Sequence, residues 1–75
     1  MKQIFVLLDN DLHPMTVQEV AALYEDDLDK LGYCLGRADQ SAFDEMIEKT
    51  TEAAMPLWKA LKYFLSISKA DVVID

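Results

Sequence analysis

Three stretches of the chain carry side chains able to do chemistry: Asp9-Asn10-Asp11 with His13 close behind, the lone Cys34, and the acidic run Glu25-Asp26-Asp27-Leu28-Asp29. Asp9, Asp11 and His13 alternate, so an extended segment would align them on one side as metal ligands. There is only one histidine and no distant fourth ligand to complete that set, so no metal ligand is assigned. Cys34 and His13 are the types that pair as nucleophile and base. No glycine pattern for an oxyanion hole accompanies them, and a single cysteine on an apolar helix reads as a small buried hydrophobe. No catalytic, metal-ligating or cofactor-binding residue is assigned, and the expectation is a protein that is not an enzyme.

Two local resemblances bear on the same residues. The apolar run Ile4–Leu8 followed by Asp9-x-Asp11 resembles the first motif of haloacid-dehalogenase-type phosphatases. That resemblance implies Asp9 as nucleophile and Asp11 as general acid beside a magnesium ion. It covers about eight residues. Where the motif continues Gly-Thr-Leu this chain has Leu12-His13-Pro14, and seventy-five residues are too few for that fold's large sheet. The acids are therefore read as decorating a turn. Thr16-Val17-Gln18-Glu19-Val20-Ala21-Ala22-Leu23 is similar to the opening helix of MerR or excisionase-type helix-turn-helix domains, which implies a basic recognition helix next. Tyr24 is instead followed by four acids in five positions, which phosphate would repel, and the resemblance is carried no further.

The elements that position these residues follow from period and punctuation. Ile4–Leu8 reads as a short buried strand, and His13-Pro14 as extended or turn backbone. Thr16 and Glu19 form a capping box. The stripe Val17, Val20, Ala21, Tyr24, Leu28, Leu31 and Leu35 then predicts one amphipathic helix, ended by Gly32 or Gly36, with Glu19, Glu25, Asp26 and Asp29 on its anionic side. A second helix is expected to open near Ser41, with Asp44 three residues on. Its stripe is Phe43, Met46, Ile47, Thr50, Ala54, Leu57, Leu61 and Leu65, flanked by Trp58 and Phe64. Pro56 kinks it or splits it in two. The apolar tail 72–74 is of a kind to pair with residues 3–8. The expected fold is thus mostly α, one domain over residues 1–75, with two main amphipathic helices and short terminal strands as an α+β alternative.

Composition narrows the partner. A chain this short buries only about 60% of its unfolded surface, and its one cysteine leaves no disulfide to help, which fits a reducing, cytoplasmic setting. The first apolar run is five residues, too short for a signal peptide, and no stretch has the length of a membrane span. The net charge of −7 is uneven. Twelve acids face three basic residues between Asp9 and Glu52, whereas Pro56–Ala70 holds three lysines and no acid. Nucleic acid as direct ligand and membrane are both disfavoured, and a protein with a basic surface is favoured. With 52% hydrophobic residues, some large side chains are left for a partner. The expected function is non-catalytic protein binding, as a small adaptor, inhibitor or assembly subunit. The expected contact residues are Glu25, Asp26 and Asp29, which steer, and Trp58 and Tyr63, which hold. The alternatives are an acidic DNA-mimicking inhibitor of a nucleic-acid-binding protein, of the kind phages use against host defence, and a homo-oligomeric structural subunit.

Overall fold

Asp9 and Asn10 both adopt left-handed backbone, with φ of 50° and 69°. That is the two-residue turn whose twist suits a β-hairpin, and Asp and Asn are the non-glycine residues that tolerate it best. The computed structural model, which describes all residues from Met1 to Asp75, accordingly begins with a hairpin: β1 (Ile4–Leu8) pairs antiparallel with β2 (Asp11–Met15). A third strand, β3 (Val72–Ile74), pairs parallel with β1, giving the order β2-β1-β3. The pairing of the two terminal segments, open as an alternative in the sequence, is present, and β2 is an addition to it.

Four helices lie between the hairpin and β3: α1 (Val17–Tyr24), α2 (Leu28–Ala38), α3 (Gln40–Ala53) and α4 (Leu57–Ile67). The expected helix-rich chain is present, but with four helices in place of two main ones, and the three-stranded sheet makes the fold mixed α+β, the alternative reading. The capping box stands as expected: Glu19 N–H donates to Thr16 Oγ1 at 3.2 Å, and Thr16 N–H donates to Glu19 Oε1 at 3.0 Å. The long first helix, however, breaks after Tyr24. Asp27 leaves helical geometry and accepts from the Lys30 amide at 3.4 Å, capping a new helix. Aspartate side chains compete with helical hydrogen bonds in this way, and three acids sit together here. At the other end of α2, Asp39, not Ser41, opens α3 by accepting from the Ala42 amide at 3.1 Å. Pro56 splits rather than kinks the second predicted helix. Ala54 turns left-handed (φ 49°) and Pro56 precedes the first turn of α4.

One face of the sheet carries Ile4, Val6, Val72 and Ile74, all at most 1% exposed. They form a single core with Val20, Leu31, Leu35, Leu61 and Phe64, each of them buried. Phe64, expected at a flank, is at its centre with no exposed surface. Burying side chains of this size stabilises by about 1.5–3 kcal/mol each. Asp39 also fixes the return to the sheet, because its second oxygen accepts from the Lys69 amide at 2.9 Å just before β3. These amides, Lys69 first and then Ala42, hold the Asp39 carboxyl below the usual aspartate range.

Both edges of the sheet are blunted. On β2, Pro14 has no amide to offer. On β3, Arg37 reaches over from α2 and donates to the Val73 carbonyl at 2.8 Å and to Asp75 Oδ1 at 3.0 Å. That contact lowers the Asp75 carboxyl and raises the Arg37 guanidinium relative to their ordinary values. No helix of the chain is long and apolar enough to cross a membrane.

Candidate functional site

The break at Asp27 has a consequence for exposure. Because α2 starts afresh there, Leu28 becomes its first residue and is 56% exposed, while Leu31, one turn on, is 2% exposed. On α3 the outer edge of the stripe behaves alike: Met46 is 5% exposed and Ile47 48%. Leu28 and Ile47, both expected in the core, are corrected to surface positions. Between them lies an open groove of about 400 Å³.

Three helices build it. α2 contributes Leu28, Leu31, Gly32 and Leu35; α3 contributes Phe43, Met46, Ile47 and Thr50; α4 closes the floor with Leu57 and Ala60, and Met55 comes from the split before it. Gly32 faces the Phe43 ring, and a Cβ there would meet Phe43 Cζ at 3.4 Å, an ordinary contact distance. The charged member of the lining is Glu25. A shallower recess shares Gly32 and Phe43 with the groove and adds Asp29, Tyr33, Gly36, Arg37 and Gln40. Arg37 lies over the Tyr33 ring at 5.6 Å. The Thr50 hydroxyl, on the groove wall, is buried without a hydrogen-bond partner.

The expected contact residues are only partly brought together. Glu25 is on the groove, Asp29 in the recess that continues it, and Asp26 exposed in the loop between α1 and α2. Trp58, 39% exposed on the first turn of α4, lies outside the groove lining. Tyr63 is not the free aromatic expected. It packs half-buried against the core, and its hydroxyl donates to Glu45 Oε2 on α3 at 3.1 Å. Desolvation, then this bond, raises its phenol above the ordinary tyrosine value. It borders a separate recess with Glu45, Glu48, Lys49 and Glu52. The residues that sequence reasoning missed are Leu28, Ile47 and Met55. For Leu28 the available signal was Asp27, an N-cap residue type directly before an apolar position of the stripe, with Asp29 in the first turn after it.

The residues singled out for chemistry are scattered. Asp9 lies in the hairpin turn, whereas Asp11 and His13 are exposed on β2. Cys34 is buried in α2 with its sulfur 4.0 Å from Arg37 Nη2. No three His, Cys, Asp or Glu side chains gather as a metal-holding group. A second apolar surface is the sheet face turned away from the helices, where Leu7, Leu12 and Val73 are 41%, 52% and 36% exposed beside Phe5 and Pro14. No protein-family model, curated protein or solved structure matches the chain.

Proposed function

We propose that this chain is a non-catalytic protein-binding module, a small adaptor, inhibitor or assembly subunit, whose partner seats an apolar segment in the α2-α3-α4 groove. The observation that carries this reading is the groove itself: about 400 Å³ of open volume with core side chains at its base and with Leu28 and Ile47, which the fold leaves exposed, at its edges. Leaving Leu28 and Ile47 in water costs the free protein the burial energy they would otherwise supply, and a partner covering them recovers it. Glu25 and Asp29 at the lip, in a region with nine more acids than bases between Asp9 and Glu52, favour a basic surface around the inserted segment.

The test is capture from the source cell on the immobilised chain, run beside a Leu28→Glu, Ile47→Glu variant whose circular dichroism confirms the fold. One protein should be retained by the unmodified chain at about 1 M salt, where exposed charges no longer attract, and be lost with the variant. A DNA mimic would behave otherwise: its partner would leave in high salt, compete with DNA and ignore the two glutamates. That outcome would overturn the groove.

A further inference from the structure

We infer that the groove takes its partner as a short amphipathic α-helix, with apolar residues at positions i, i+3 or i+4 and i+7 and with lysines or arginines flanking them. This rests on the groove being the binding site. Folded domains recognise peptides in a few recurring ways: adding a strand to a sheet edge, packing a helix into an apolar groove, or docking a polyproline segment on aromatic side chains. Strand addition is hindered at both edges here. β2 carries Pro14 on its free edge, and the Val73 carbonyl of β3 is already taken by Arg37 at 2.8 Å. The groove is walled by side chains of three helices and presents no strand backbone for pairing. Polyproline docking needs a row of aromatic rings, and Phe43 is the one aromatic residue in the lining.

The dimensions fit a helix. The α2 wall runs from Leu28 to Leu35 and the α3 wall from Phe43 to Thr50, eight residues and so seven helical steps in each case. At 1.5 Å per residue that is a trough about 10 Å long, the length of two helical turns. Two turns present three inward side chains at i, i+3 or i+4 and i+7. A groove of about 400 Å³ leaves room for several apolar side chains of an inserted segment. The charge requirement comes from the lip. Glu25 stands on the groove and Asp29 in the recess joined to it, and the only basic residue in either lining is Arg37. Arg37 is held by Asp75, so the lip offers carboxylates to a cation-bearing partner.

The experiment is a selection from a random library of displayed peptides about sixteen residues long, enough to form a helix once docked. It uses the full chain as bait, with counter-selection on the Leu28→Glu, Ile47→Glu variant. Groove-dependent sequences should show the i, i+3/i+4, i+7 apolar spacing and an excess of Lys and Arg. In solution, the best peptide should lose at least about tenfold in affinity when its flanking bases become Glu. Its helicity should rise on binding. Groove-dependent winners with alternating apolar residues or a Pro-x-x-Pro pattern, or with no basic excess, would overturn the helix while leaving the groove intact. No groove-dependent enrichment would defeat both readings. A concentration-dependent dimer of the unmodified chain, abolished by the two glutamates, would assign the groove to a second copy and overturn the inference.

Discussion

Leu28 and Leu31 sit three residues apart on one helix and in one hydrophobic stripe, yet the fold treats them differently, and a pair of alanine substitutions measures the difference. Leu31 is 2% exposed within the core. Truncating a buried leucine to alanine costs about 2–5 kcal/mol. At roughly 0.05–0.15 kcal/mol per residue, a domain of this size has only about 4–11 kcal/mol in total. Leu28 is 56% exposed, so less than half of its side chain is shielded. A fully buried leucine is worth about 1.5–3 kcal/mol, and alanine keeps the Cβ, so Leu28→Ala should cost under about 1 kcal/mol. For a domain of this size 1 kcal/mol moves Tm by about 4–8 °C. Leu31→Ala is thus expected to lower Tm by about 8 °C or more, and at the upper end of the cost to leave little folded protein. Leu28→Ala should shift it by only a few degrees. Thermal melts followed by far-UV circular dichroism, checked by urea titration, give both values. The partner assay should rank the same variants in reverse, with Leu28→Ala folded but weakened in capture. If Leu28→Ala costs as much stability as Leu31→Ala, then α1 and α2 form one continuous helix and the groove does not exist as described.

Other outcomes follow from single contacts. Thr50→Val removes the buried, unpartnered hydroxyl at nearly constant volume and should raise stability by about 1 kcal/mol in urea titrations. Ala54→Gly relieves a left-handed backbone that alanine adopts at a cost, and should add about 0.5–1 kcal/mol; a loss in the same titrations would place Ala54 in ordinary helical backbone. The carboxyls of Glu19, Asp39 and Asp75 are held low by the Thr16 amide, the Lys69 and Ala42 amides, and Arg37 respectively. Their contribution is complete above the ordinary carboxylate pKa of about 4 and drains away as pH falls through their depressed values. Tm should therefore drop on acidification below about pH 4, and less steeply in Asp39→Asn; equal slopes would remove Asp39 from the account. Reversing Asp26 and Asp29 to lysine should slow association with the captured partner roughly tenfold at low salt, and the difference should vanish at about 1 M. Stopped-flow rates unaffected at low salt would place the steering charge elsewhere.

Much of this architecture is legible in the chain. The Thr16–Glu19 cap, the strand Ile4–Leu8 and the interruption at Pro56 rest on local signals: a fixed capping geometry, a β-branched apolar run, a missing amide; the pairing of that strand with residues 72–74 is a long-range contact that the sequence leaves open. What escaped was the difference between a stripe and a core. Val17 through Leu35 keep helical phase, and phase alone cannot show that the chain changes direction at Asp27. Once it does, the residue opening the new helix is carried to the surface although its spacing is unchanged. The hairpin was hidden for a similar reason. Asp9-Asn10 lacks the glycine that usually marks a two-residue turn, so the acids drew attention as chemistry rather than as backbone. Tyr63, off its stripe in sequence, found a partner in Glu45 across the α3-α4 contact, which no local pattern specifies.

The two locks on the sheet differ in kind, and that difference governs how the molecule would behave when crowded. Exposed strand edges are templates for fibril growth. Growth past β2 is opposed by a covalent feature, the ring of Pro14, which no solution condition removes. Growth past β3 is opposed by a guanidinium held to a carbonyl and a carboxylate, both near the surface, and so by a contact that acid or salt loosens. With β2 closed, edge-to-edge association should stop at a pair of molecules joined through Val72–Ile74, favoured at low pH where Asp75 is neutral and brought to neutral pH by Arg37→Ala. Restoring an amide at position 14 should open the opposite end.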